Sequence, residues 1–515
     1  MKMKRSFLCM VLAMVLLFSI ALAGCSQGDK NETQGASESN SSQNEPTTGG
    51  SVTVGMTQDL VSLDPHQVTD AGTKSVVFNI FEGLVKITPE GDLMPAVAEN
   101  YVIGDNADVI TFTLRSGIKF QNGEDVTVED IKYSLDRYAE VHGGSAFSYY
   151  KETVIKDDKT VEVHLTEPNS EFIYDLTVEI IPAGIEDIAS NPVGTGPFKV
   201  VKYTPGKDLQ LAKNEYYWQE GLPYLDAVTF KFIANVETAF NELQAHTINV
   251  LNYLTVDQVE ILDKDEFTIV EGSMNLVHAL YLNNEYEPFK DVRVRQAICY
   301  AINREQINDF LFAGASKYIG ACMVPSIDKY FNEAAANVYS YDPEKAKDLL
   351  KQAGYEKGLE VVIQVPSSYT QHVQTAELIR EDLIAVGIDC KIKQIEWNSW
   401  LSDVYQGRKY HATVIGVDGS LAPNSWFSRY QSEAGNNFVN YKSEKFDEVY
   451  AKASTTIDDA EKVELYKQLQ DIMAEEAASA YIEDPADFVA IDSNLEGYIF
   501  YPMSAYDMEY LHFIK

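Results

Sequence analysis

Glu360-Val361-Val362-Ile363-Gln364-Val365, then Thr370 onward with Ala376, Ile379, Leu383 and Val386 at helical spacing, then Gly387, and at once Asp389-Cys390-Lys391-Ile392-Lys393-Gln394-Ile395: this stretch decides the fold. The outer segments alternate and are rich in β-branched residues, while the middle carries a single apolar face. A helix between two strands is too long for a hairpin, so the strands lie parallel and the connection is a β-α-β crossover. The second half of the chain therefore has an α/β core.

The same punctuation extends in both directions. Alternation predicts strands at Ser51–Met56, Val109–Leu114, Thr160–Leu165 and residues 227–233. Asp342-Pro343-Glu344 places an Asp cap before Pro at the first helical position; Ala346, Leu349, Leu350 and Ala353 follow, and Gly354 closes the helix. Asp291 opens another helix, with Val294, Ala297, Ile298, Ala301 and Ile302 on one face. Thr127 and Asp130 mark the start of a third.

The N-terminus reads as an address. Met1-Lys2-Met3-Lys4-Arg5 is basic, and residues 6–23 are apolar, ending in small side chains, which is the pattern of a secretory signal covering residues 1–24. The run is long enough to be a membrane span left uncleaved, but Leu22-Ala23-Gly24-Cys25 argues against that, because it resembles a bacterial lipoprotein cleavage site. Cys25 would then be the lipidated first residue of the mature chain. Residues 26–50 contain no Val, Ile, Leu, Met or aromatic side chain and cannot bury enough surface to order themselves, so residues 25–50 are expected to form a flexible tether. As a random coil it reaches about 25–30 Å, keeping the body near the bilayer.

The remaining body is long enough for two or three domains. The chain of 515 residues carries a formal charge of −37. Removing three of its 41 basic residues with the signal, against 78 acidic ones, takes the charge to about −40. A polyanion of that size is a poor partner for nucleic acid. The acids are spread without a block, which fits a solvated exterior. Cys299, Cys322 and Cys390 remain as the candidates for thiol chemistry, an odd count that allows one disulfide and one free thiol; there is no C-x-x-C, and Cys299 and Cys390 sit in apolar periodic contexts that suit burial. No nucleophile elbow, zinc helix, phosphate loop or calcium loop is present, and Gly194-Thr195-Gly196-Pro197-Phe198 reads as a turn into a strand. No cofactor or metal is expected.

Blocks along the chain carry a family resemblance. They include Leu63-Asp64-Pro65, Phe81-Glu82-Gly83-Leu84, Met94-Pro95-Ala96-Val97-Ala98-Glu99 and residues 112–120. Further on come Asp130-Ile131-Lys132-Tyr133-Ser134, residues 194–198, Asn283 with residues 288–297, Tyr341-Asp342-Pro343 and Phe446-Asp447. In this order they resemble the family 5 extracellular solute-binding proteins, peptide- and nickel-type receptors of ATP-binding-cassette importers. The resemblance implies a two-lobed, periplasmic-binding-protein-like α/β fold of type II, cluster C, with an inserted subdomain in the first lobe. It places lobe I at 51–276 with the insert at about 81–182, lobe II at 277–486, and a return to lobe I at 487–515. The strand character of residues 497–500 and 508–511 suits that return. A solute captured between the lobes, delivery to permease subunits, and a monomer anchored on the extracytoplasmic face follow from the same resemblance.

The solute is less legible. Peptide-binding members hold the ligand ammonium with an acid in a lobe II segment, and the corresponding stretch here is Gly416-Val417-Asp418-Gly419-Ser420. Asp418 stands two residues early, where it is either a ligand anchor or a turn former. Gln371 and His372 fall where some members approach the ligand carboxylate. Trp397 and Trp400 offer an aromatic wall or core packing; Tyr281 and Asn283 lie at the presumed first crossing, and Asn436 and Asn437 line the cleft or turn the chain. An oligopeptide is the expected solute. The alternatives are an oligosaccharide, a nickel chelate or another small metabolite in the same receptor role, and beyond those a surface enzyme or adhesin.

Overall fold

The computed structural model describes residues 46–68, 70–142 and 147–515. The signal, Cys25 and most of the expected tether lie outside these residues. Residues 46–50 are tied down, contrary to the tether expectation: Gly49 N–H donates to Tyr224 O at 2.8 Å and Gly50 N–H to the Asp226 carboxylate at 3.1 Å. Gly50 has φ +90°, and a Cβ there would sit 2.6 Å from the Phe513 ring, so the segment lies flat on the body where only glycine fits.

Two sheets organise the rest. The first runs in the order Phe267–Ser273, Ala486–Asp492, Val250–Leu251, Ser51–Met56, Ala227–Phe232, Asp208–Lys213, Phe198–Thr204. Ser51–Met56 pairs in parallel with both Ala227–Phe232 and Val250–Leu251. The second runs Lys317–Tyr318, Ala480–Asp484, Val277–Leu282, Ala412–Val417, Glu360–Pro366, Asp389–Ile395. Glu360–Pro366 is parallel to both of its neighbours, as a crossover requires. The intervening helix Thr370–Ala385 buries Ala376, Ile379 and Leu383 against Val361, Ile363 and Cys390. Two α/β lobes result.

A four-stranded antiparallel sheet of Ala98–Ile103, Val109–Leu114, Thr160–Leu165 and Tyr150–Ile155, with the helix Val128–His142, forms an insert. Thr127 and Asp130 cap that helix reciprocally, as their spacing predicts. Gln121 ties the insert to lobe I, donating at 2.7 Å to both Ile80 O and Phe198 O. Lys86 does the same for the tail. Its buried ammonium lies 3.3 Å from Glu82 and 3.0 Å from Glu509; burial opposes its charge, but the two carboxylates prevail and hold the pKa above the ordinary lysine value.

The tail packs in the lobe I core through Tyr506, Met508 and Leu511, but residues 497–500 and 508–511 are not strands. Their backbone is taken up by side chains: Asn79 donates to Tyr506 O and accepts from Met508 N–H at 3.0 Å. The three body cysteines are free and buried, and burial raises the Cys299 and Cys390 thiols to about 12.

The chain passes between the lobes twice, after Ser273 and again at Pro485. The two passages are joined. Met274 N–H donates to Pro485 O at 2.8 Å, and Leu276 N–H to the Asp484 carboxylate at 3.0 Å. Behind them, His278 Nδ1 lies 3.5 Å from Glu483, and the His278 ring sits 5.0 Å from that of His372. Burial pushes Glu483 and Asp484 up to about 8, and lowers His278 to about 4 and His372 to about 3. Near neutrality all four are uncharged.

Glu483 therefore keeps its proton in the folded chain up to about 8, whereas an unfolded glutamate releases it near 4.5. The stability this neutral carboxyl contributes is complete below 4.5 and is lost as pH rises to about 8. Calorimetry of Glu483→Gln should show its Tm advantage over wild type growing through that window and then levelling. A pH-independent difference would contradict the assignment.

Candidate ligand cleft

In sheets built on parallel strands, ligands bind outside the carboxyl ends. Both lobes direct those ends toward the chain passages. In lobe II, Val277, the first residue after the crossing, pairs with Val417, so the turn beginning at Asp418 emerges beside the crossing. The parallel neighbours end at Pro366 and Ile395, bringing Tyr369 and Trp397 to the same edge. In lobe I, Val250–Leu251 leads into Asn252 and Tyr253, which run beside the returning chain: Tyr253 N–H donates to Asp487 at 3.2 Å and Leu254 N–H to Phe488 O at 3.0 Å.

The lobe II wall is rigid. Trp426 Nε1 donates to Ser420 O at 3.0 Å, Ser420 N–H donates to Ser425 Oγ at 2.9 Å, and Arg429 donates to Asp418 O at 2.9 Å. Gly419 lies on the Trp426 ring, where a Cβ would be 2.3 Å from Cε2. These bonds fix the turn while the Asp418 side chain stays exposed, with no hydrogen bond to any described residue. A turn-forming role would have used that carboxylate on a backbone N–H.

The aromatic pair divides. Trp397 stacks on Trp400 at 5.2 Å with the planes 6° apart, and Tyr369 stands edge-on to Trp397 at 5.5 Å. Trp400 is a core residue, contrary to the wall expectation: it is buried and its Nε1 donates to Thr413 Oγ1 at 2.9 Å. Trp397 is half-buried and Tyr369 is 43 % exposed, so these two make the accessible surface.

Other expected contacts lie elsewhere. Tyr281 is completely buried and its hydroxyl donates to Val277 O at 2.9 Å. Asn283 is just past the far end of the strand Val277–Leu282, about 20 Å from the crossing at about 3.4 Å per residue. There it donates to Tyr410 O at 2.8 Å and accepts from Asn440 at 2.8 Å, so it fastens core loops. Asn436 is exposed on that same distant edge, next to Gly435, whose carbonyl accepts from Arg408. Asn437 is a buried turn residue bonded to Tyr441 O at 2.7 Å. His372 is behind the wall, its Nε2 accepting from Gly416 N–H at 3.3 Å. Gln371 is half-buried near Tyr369 and remains available.

Sequence reasoning passed over Tyr253 and Arg429. Tyr253 is 53 % exposed and has φ +61°, a strained conformation for a tyrosine. Its signal is purely conformational. Asp487 beside it is pushed up to about 7 by burial.

Side chains also bridge the insert to lobe II. Glu171, almost fully buried, accepts from the Tyr466 hydroxyl and from Asn424 N–H at 2.8 Å, while Lys462 donates to Ser170 Oγ at 2.9 Å. Glu171→Ala would leave the Asn424 and Tyr466 donors unpaired, and should cost about 2–3 kcal/mol. Chemical denaturation checks this, and a change below about 0.5 kcal/mol would show that water replaces the bridge.

Residues 92–438 match the model of the bacterial extracellular solute-binding proteins, family 5, and the chain belongs to that family. Similar curated proteins include the glutathione-binding protein GsiB of Escherichia coli K12, 28 % identical over 485 residues, covering 89 % of this chain and 93 % of that one. The dipeptide-binding protein of the same strain is 28 % identical over 463 residues, covering 81 % and 86 %. Among solved structures, the ABC transporter substrate-binding protein CtaP of Listeria monocytogenes superposes with a TM-score of 0.81 at 24 % identity, covering 91 % of this chain and all of that one. DppA of Helicobacter pylori in complex with the peptide STSA gives 0.70 at 26 % identity, covering 91 % and 99 %.

Proposed function

We propose that the chain is the lipid-anchored, extracytoplasmic binding component of an ATP-binding-cassette importer, and that it captures an oligopeptide between its lobes. The observation that carries this reading is the Asp418 carboxylate, held exposed on a pinned turn beside the chain crossing, where a peptide ammonium would find a preorganised anion. Relatives named for glutathione and dipeptide binding, and a solved relative holding STSA, support it. Lobes I and II at 51–276 and 277–486, with the return at 487–515, supply the two walls. Binding on both walls favours closure, which the importer reads. No covalent step is required, and we take the protein for a receptor and not an enzyme. Tyr369 and Trp397 favour a second reading, in which the same receptor holds a sugar, chelate or other metabolite against an aromatic face.

A thermal-shift screen of the soluble body against peptide, sugar and metal-chelate panels separates the two. A peptide at 100 times its Kd should add about 2.7 kcal/mol to stability. Stabilisation by sugars with none by any peptide would reverse the choice. The anchor is tested separately: Cys25→Ser should move the expressed protein from the membrane fraction to the medium or periplasm.

A further inference from the structure

We propose that the lobe II wall reads an α-amino-acid head group, an ammonium and a carboxylate on one carbon, with Asp418 taking the ammonium and Arg429 the carboxylate. This rests on the peptide-receptor reading and narrows it to peptides that keep such a head, as those joined through a glutamate side chain do.

Arg429 is the observation. It follows the short helix Pro423–Ser428, whose second residue, Asn424, already touches Glu171 of the insert. Its guanidinium returns to the Asp418 turn, half-buried, and its charge acts on the Tyr281 and Tyr430 hydroxyls and the Cys322 thiol behind it. Among the described residues it makes one hydrogen bond, to Asp418 O. Every other described arginine makes at least two: Arg137, Arg293 and Arg380 with carboxylates, Arg115, Arg295 and Arg304 with sets of carbonyls, and Arg408 with Asn440 and Gly435 O. In a chain with 78 acidic and 41 basic residues, a guanidinium held in place with four of its five N–H donors unspent is set apart.

The backbone bond explains why the two charges stay separate. Arg429 is fixed by the carbonyl of Asp418 and not by its carboxylate, so the anion on the pinned turn and the cation at the end of the adjoining helix are both left without an ion-pair partner among the described residues. An α-linked peptide presents an ammonium there, but its neighbouring carboxyl is a neutral amide, and Arg429 would be desolvated with no anion to receive its donors. A γ-linked glutamyl peptide presents both charges. The planar fork of arginine suits a carboxylate better than a lysine would.

The test compares γ-Glu-Gly with α-Glu-Gly, which have the same atoms and net charge, by calorimetric titration of the purified protein. The γ isomer should bind at least about tenfold tighter. Arg429→Gln should abolish that preference by weakening the γ isomer alone, Arg429→Lys should restore part of it, and Asp418→Asn should weaken both isomers. Equal or tighter binding of the α isomer, or equal weakening of both by Arg429→Gln, would overturn the proposal. Should Arg429→Gln fail to fold, the wild-type preference decides. If neither isomer binds, the head-group proposal falls; ordinary tripeptides binding in that case would leave the receptor reading standing, and no peptide binding would remove it too.

Discussion

The two passages of the chain between lobes are bonded to each other, and the rest of the architecture is arranged around that fact. Leu276 N–H on the outgoing strand reaches the Asp484 carboxylate on the returning one, and Met274 N–H reaches Pro485 O one step away. With both strands fixed at that point, the register of each sheet determines what faces the gap. Val277 opposite Val417 brings the Asp418 turn to one side, and Ser273 opposite Ala486 brings Asn252 and Tyr253 to the other. The walls of the cleft are thus consequences of strand pairing.

The uncharged cluster beneath the crossing fits this role. A buried ion pair would be tolerated only with every lone pair satisfied. Here burial keeps Glu483 and His278 neutral instead, and several of their polar atoms lack partners. The surface acids are solvated and loosely paired, as in Lys391 with Glu360 and Lys442 with Glu285, and contribute little each. Charge matters where it is scarce and fixed, as at Lys86 and Arg429.

Much of the fold was legible because its signals are local. The cap at Asp342 and the reciprocal bonds of Thr127 and Asp130 stand where their spacing places them. The crossover from Glu360 to Ile395 needed only period and a glycine. The tail was misread as strand because alternation records burial, and Tyr506 and Met508 are buried in the core, with Tyr498 packed against it, without a ladder. The cleft was less legible for the same reason. Tyr281, Trp400 and His372 have the side chains that ligand sites favour, yet cores favour them too, and which face they take is decided by partners distant in sequence such as Thr413 and Gly416. Arg429 has no local mark at all, since its lack of a carboxylate partner exists only once the chain has folded.

The position of Ala486–Asp492 in the lobe I sheet, between the edge strand Phe267–Ser273 and Val250–Leu251, has a bearing on biogenesis. A ribosome delivers the other six strands of lobe I early, but the strand that attaches Phe267–Ser273 to the rest, and Glu509 that neutralises Lys86, arrive last. Lobe II, continuous from Val277 to Asp484, has all its strands beforehand. Vectorial synthesis therefore completes lobe II before lobe I, whose Phe267–Ser273 edge stays unattached until the final segment pairs with it.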